Sequence, residues 1–217
     1  MPLFVYLIPI IAVFVFVLVF SHLKENMKGV YISKPIATLL VIITALLSLT
    51  IPETTSKYTI LIVVGLIFCY GGDIALMFME SKKAFLIGLV LFLLGHVVYA
   101  ITFLMYGGMS GEIIWISLIL LILTVLFYMY LYPGLGKMKV PVAFYVLIIS
   151  AMVTFAVATL FSGTVPKTTA WLITLGSISF FLSDVVVAIN RFRIPLKYDR
   201  LSLIAYYLGQ LLIAIST

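Results

Sequence analysis

Two aspartates, Asp73 and Asp184, stand inside apolar runs long enough to cross a bilayer. The first lies in Tyr70-Gly71-Gly72-Asp73-Ile74-Ala75-Leu76, the second in Phe181-Leu182-Ser183-Asp184-Val185-Val186-Val187. The other five of the seven acidic residues fall at or between the ends of such runs. An aspartate at the middle of a membrane helix costs roughly 2.5–3.5 kcal/mol on insertion scales, so it faces a protein interior or a wet cavity and marks function more often than bracing. Two carboxylates that share a poorly solvated pocket cannot easily both ionise. One then carries a proton while the other carries charge. That division of labour suits acid–base hydrolysis, in which one group donates a proton and the other orients water. Glycosidases apply the same logic to an oxocarbenium-like centre.

Other polar residues fall on the faces that would surround such a pair. In the fourth run, Gly88, Phe92, Gly95, His96 and Tyr99 recur at i, i+4, i+7, i+8 and i+11, a single helical stripe. Ser202, Tyr206, Gly209 and Gln210 do the same in the eighth, with Tyr207 beside them. Gly65, Cys69, Gly72, Asp73 and Leu76 line up in the third, and Gly176, Ser179, Ser183 and Asp184 in the seventh. Small residues let membrane helices approach closely, so these stripes face inward. Tyr145 in the sixth run, Lys34 before the second, and Asn190 with Arg191 at the end of the seventh complete the candidate set. The result is a bundle centre polar at one level and apolar above it, suited to a polar head with a long tail. Each residue also has a plainer role: His96 and Gln210 as interhelical glue, the tyrosines as core or interface aromatics, and Lys34 and Arg191 as orientation signals.

Composition excludes several other chemistries. The 217 residues are 65% hydrophobic and 9% charged, whereas a soluble domain is about half apolar and about a quarter charged. The class is all-α, a polytopic membrane protein forming one transmembrane domain. The net charge of +6 sits in short loops beside the runs and is not a nucleic-acid signature. A single Cys69 gives no disulfide framework and no thiolate zinc site. His96 with the two aspartates lacks any local ligand spacing, so no metal is expected. Neither a Gly-x-Ser-x-Gly elbow nor a Walker or dinucleotide loop is present.

Eight runs are candidate spans: Leu3–Phe20, Pro35–Ile51, Thr59–Met79, Ala84–Tyr106, Glu112–Tyr132, Pro141–Ser162, Thr169–Asn190 and Leu201–Ser216. The first lacks the basic flank and cleavage pattern of a signal peptide and is expected to be retained. Breaks carry Pro, Gly or charge, as at Pro52-Glu53, Glu80 to Lys83 and Arg191 to Arg200. Pro35 and Pro141 are expected at helix starts. The odd-numbered loops hold eleven of the thirteen Lys and Arg residues. The positive-inside rule then places those loops in the cytoplasm and both termini outside, in a multi-pass protein of the cell membrane. Both aspartates are expected six residues before their helix ends, roughly 9 Å below the cytoplasmic interface at 1.5 Å per residue. Gly72-Asp73-Ile74 echoes Ser183-Asp184-Val185, and Leu94-Gly95-His96 echoes Leu208-Gly209-Gln210, at offsets of 111 and 114. Such echoes suggest two parallel four-helix repeats about an axis along the membrane normal.

Taken in order, Lys34-Pro35, Gly72-Asp73 with Phe85, Gly88, His96 and Tyr99, Pro141-Val142 with Tyr145 and Met152, Ser183-Asp184 with Arg191-Phe192, and Tyr206-Tyr207 with Gln210 form a pattern. In this the chain resembles the YhhN-like lysoplasmalogenases, from the second helix onward. The resemblance implies an eight-helix hydrolase that cleaves the vinyl ether of a lysoplasmalogen to a fatty aldehyde and a glycerophospho-ethanolamine or -choline. It implies Asp73 and Asp184 as the catalytic pair. His96, Tyr99, Tyr145, Ser183, Asn190, Tyr206, Tyr207 and Gln210 would position the reactants, and Lys34 or Arg191 would meet the phosphate. It implies no cofactor, and as partners only a lysophospholipid and the surrounding lipid. Two alternatives belong to other classes. Paired intramembrane acids also serve proton-coupled transport, and a lipid-binding scaffold would keep its function without either carboxylate.

Overall fold

The computed structural model describes residues 3–51, 55–108, 111, 113–197 and 199–217. The break at Pro52-Glu53 and the start of the fifth run at Glu112 lie outside the described residues. Eight α-helices follow one another, with no strand among the described residues: α1 Leu7–Leu23, α2 Met27–Ser48, α3 Ser56–Leu76, α4 Lys82–Gly107, α5 Ile113–Leu131, α6 Lys139–Ser162, α7 Lys167–Phe192 and α8 Ser202–Ile215. Seven segments are long and apolar enough to span a membrane, as expected for an α-helical polytopic bundle. The eighth is not: α8 has 14 residues, preceded by a short 3-10 turn at Asp199–Leu201.

Two boundaries differ from expectation in ways that matter for the site. α2 starts at Met27, well before Pro35, because Asn26 caps it by accepting the Gly29 N–H at 3.2 Å. Pro35 therefore lies inside the helix rather than at its start. Lys34 is consequently not a loop residue but a buried one on the inner face of α2, 7% exposed. The basic bias of the odd loops survives its removal. At the other boundary, α3 ends at Leu76 and the chain turns through Met77 to Ser81. Asp73 is thus three residues from the end of α3, while Asp184 is eight from the end of α7, instead of the common six.

The packing order has a recurring plan. α3 packs on α4 and α7 on α8; α4 crosses to α6, and α8 crosses to α2. A Cβ on Gly95 would come 3.1 Å from the Gly65 carbonyl oxygen and 2.8 Å from Cys69 Sγ. A Cβ on Gly209 would come 2.8 Å from both the Gly176 carbonyl oxygen and the Phe180 nitrogen. Gly65 and Gly176, like Cys69 and Phe180, are separated by 111 residues, the spacing of the two aspartates, and Gly95 and Gly209 by 114. The helix pairs that carry Asp73 and Asp184 are therefore held together by the same glycine-backed contact at the same register. The hydrophobic core runs through both pairs, from Leu66 and Tyr99 to Phe180 and Ile213. By contrast α5 buries only Thr124 and Leu131 and leaves most of its surface outward.

Candidate functional site

The inward stripes converge on a cavity of about 110 Å³ that both aspartates line. Tyr145, Ser183, Ser202, Tyr206 and Lys34 share its wall, which is otherwise apolar, with Phe127, Val146, Ile149 and Phe181 among its residues. A second cavity of about 640 Å³ lies at the end of the bundle where α1 meets α2 and α7 meets α8. It has a polar rim of His22, Glu80, Asn190, Asp199 and Arg200. Lys34, Leu76, Val187, Ser202 and Leu203 belong to both walls, so the two cavities adjoin; the larger, at the bundle end, is called the vestibule and the smaller the chamber.

The two carboxylates are held in very different ways. Asp73 is 2% exposed. The Lys34 ammonium lies 3.1 Å from its Oδ1. Thr38 Oγ1 and Tyr206 Oη each donate to its Oδ2 at 2.7 Å. The Tyr206 hydroxyl is in turn oriented by Gln210 Nε2 at 3.2 Å, and Gln210 Oε1 accepts from Tyr99 at 3.2 Å. Every donor in that chain points toward Asp73, the arrangement a carboxylate anion requires. Thr38 has one proton and gives it to Asp73. The Tyr207 hydroxyl can therefore donate to Thr38 Oγ1 at 3.0 Å or to the Lys34 carbonyl at 3.1 Å, bracing α8 against α2. A buried ion pair of this kind is a large commitment, because each charge is left unsolvated if the other is removed.

Asp184 has far less. One hydroxyl, that of Tyr145, donates to its Oδ2 at 2.5 Å. His96 Nε2 is 4.0 Å away, too far for a direct hydrogen bond, and neither of its buried ring nitrogens has a hydrogen-bond partner. The His96 ring stands perpendicular to those of Tyr145 and Phe180, with centroids 5.4 and 4.6 Å away. Among the described residues no cation is paired with Asp184 except His96 if protonated. Its side chain is 20% exposed, an order of magnitude more than that of Asp73.

Several residues expected at the site stand elsewhere. Tyr99, Tyr207, His96 and Gln210 line neither cavity; they are buried supports behind it. Arg191 also lines neither. Its guanidinium covers the Phe85 ring at 4.8 Å and donates to the Met79 carbonyl at 3.4 Å, so it ties the end of α7 to the α3–α4 turn instead of facing a ligand. Asn190 is on the vestibule wall but both ends of its amide are used, donating to Asp199 at 2.8 Å and accepting from the Leu196 N–H at 2.8 Å. Sequence reasoning missed Thr38, Arg200 and His22. Thr38 was findable: it follows Lys34 by one helical turn, on the face Lys34 presents to Asp73. Among the described residues no group of three or more His, Cys, Asp or Glu side chains is arranged to hold a metal.

Comparison with known proteins supplies the family. The chain is 35% identical to the bovine protein named lysoplasmalogenase TMEM86A over 158 residues, covering 71% of this chain and 64% of that protein. It is 34% identical to the human protein of the same name over the same shares. This chain thus aligns with just under two thirds of the length of these relatives. No solved structure matches it. The model of the YhhN family matches residues 29–217, a stretch that includes both aspartates and every residue touching them, and the chain belongs to the YhhN family.

Proposed function

We propose that this protein is a membrane-embedded hydrolase that cleaves the vinyl ether of a lysoplasmalogen, releasing a fatty aldehyde and a glycerophospho-alcohol. The observation that carries the reading is one chamber containing two carboxylates in opposite conditions, one saturated with donors and ion-paired, the other nearly bare. The names of the relatives point to the same reaction class.

In this reading Asp184 is the acid and Asp73 the standing anion. Asp184 holds a proton because it lacks a permanent cation and shares its chamber with the Asp73 charge. Its proton passes to the β-carbon of the vinyl ether, and the α-carbon becomes an oxocarbenium ion. A negative Asp184 and a positive substrate now face each other, while the Lys34–Asp73 pair remains intact. The chamber stays neutral throughout, and fixed charges aimed at the developing cation need no reorganisation. Water adds to the α-carbon and returns a proton to Asp184. The resulting hemiacetal breaks its bond to the glycerol oxygen, giving aldehyde and alcohol. Tyr145 fixes Asp184, and Tyr206 with Thr38 fixes Asp73.

Size supports this division of the substrate. At roughly 10–15 Å³ per water-sized group, the chamber takes about ten heavy atoms. That suits the glycerol and vinyl ether, with the rest of the chain running out along α5, α6 and α7. The excess of Lys and Arg in the odd loops supports a reading in which the vestibule lies at the cytoplasmic face of a multi-pass cell-membrane protein with both termini outside. The test is mass spectrometry of purified protein incubated with a panel of lysolipids. Free aldehyde from the 1-alkenyl species only, lost in Asp184→Asn, is the expected result. Uptake into proteoliposomes without chemical change would replace the hydrolase with a transporter.

A further inference from the structure

The vestibule is not needed for the chemistry above, yet its wall is built. Arg200 faces it beside Asp199, whose carboxylate is 3.4 Å from Arg200 Nε. Asp199 is itself held by the Asn190 amide at 2.8 Å, and its carbonyl accepts from Ser202 Oγ at 2.6 Å. That leaves the paired terminal nitrogens of the guanidinium as the fork that recognises phosphate bidentately. His22 is on the same wall, within electrostatic reach of both Arg200 and Lys34. The N–H-bearing side chains of α1, α2 and the α7–α8 connection thus meet above the chamber, and Glu80 supplies a negative charge on the same wall. Arg191, the expected phosphate ligand, is occupied elsewhere.

We propose that the vestibule is a phosphate subsite for a lysophospholipid head group, with Arg200 as its phosphate-binding residue and Asp199 as the residue that positions it. The inference rests on the hydrolase reading for its substrate class, and deepens it: the enzyme selects a phosphorylated amphiphile before the vinyl ether reaches the aspartates. Lys34, on both walls, marks the passage from one to the other, with its own charge already assigned to Asp73.

Two measurements on the full-length protein separate this inference from the reading it builds on. In the first, kcat/KM for aldehyde release is compared between a 1-alkenyl-glycerophosphoethanolamine and the 1-alkenylglycerol of equal chain length. Arg200→Ala lowers the ratio of the two about 10- to 100-fold, the range for a hydrogen bond to a charged group, chiefly through KM on the phosphorylated substrate. Asp199→Asn gives a smaller fall in the same ratio, and Arg200→Lys recovers part of it. In the second, which needs no catalysis, binding of an uncleavable 1-alkyl-glycerophosphoethanolamine is compared with that of the 1-alkylglycerol by titration calorimetry. Arg200→Ala weakens the former and narrows the gap between them. An unchanged ratio, or an equal loss on both ligands, overturns the phosphate subsite. Absence of aldehyde from the unmodified protein, with Arg200-dependent binding intact, overturns the hydrolase reading alone.

Discussion

Asp73 and Asp184 occupy matching places on α3 and α7, each helix clasped by the next through the same glycine contact, yet their surroundings differ. Asp73 has an ammonium and two hydroxyls; Asp184 has one hydroxyl and an unbonded imidazole nearby. The position in the other half corresponding to Tyr206, at the offset of 114, is Phe92, and the two rings meet edge to face at 5.9 Å. Where α8 has a tyrosine, the corresponding position of α4 has a phenylalanine, and Asp184 lacks the donor that Tyr206 gives to Asp73. In the proposed mechanism this difference assigns the two acids opposite protonation roles, because donors are added to one and withheld from the other.

The sharpest way to break this comparison is to neutralise each acid in turn. Asp184→Asn keeps a partner for Tyr145 and removes the proton donor, so aldehyde release falls about 10²- to 10⁴-fold while the thermal midpoint in detergent barely moves. Asp73→Asn strands the Lys34 ammonium, and we expect destabilisation of about 3–5 kcal/mol, read by thermal or denaturant unfolding, together with lost activity. Equal stability losses in the two variants would erase the proposed asymmetry. Pairing Asp73→Asn with Lys34→Met removes the stranded charge and recovers most of the stability, but not turnover. Tyr145→Phe takes away the Tyr145 hydroxyl from Asp184 and slows aldehyde release about 3- to 10-fold, whereas Tyr206→Phe leaves Asp73 with two donors and is expected to have the smaller kinetic effect. Least of all, His96→Phe removes two unbonded buried nitrogens, and its stability change stays under about 1 kcal/mol because no hydrogen bond is lost.

Much of the arrangement was legible from residues alone, for reasons that differ by feature. The membrane class and the inward faces follow from spacing: Gly65, Cys69, Gly72 and Asp73 all prove buried, because a helix in lipid has one side on which small and polar residues can be accommodated. What spacing does not report is which neighbour crosses to meet a polar group. Pro35 suggests a helix start and so makes Lys34 resemble an interfacial cation, whereas the Asn26 cap carries α2 further back. Arg191 looked available because nothing in sequence reveals the Phe85 ring beneath it. The unequal treatment of the two aspartates was likewise hidden, since it arises from contacts between α2, α3 and α8 on one side and α6 and α7 on the other.

The brevity of α8 has a consequence for the lipid around the protein. Its 14 residues rise about 21 Å, some 9 Å less than the hydrocarbon slab of about 30 Å. Its far end is fixed by Thr217 bonding Ser48 and Ser216 bonding Tyr58, and on the side of Arg200 only the short 3-10 turn Asp199–Leu201 extends it. On the hydrolase reading, the polar vestibule at that end is where water would enter the leaflet. An amphiphile can then stay hydrated at its head while the bond to be cut sinks to the aspartates, and neither has to be dragged across a dielectric boundary.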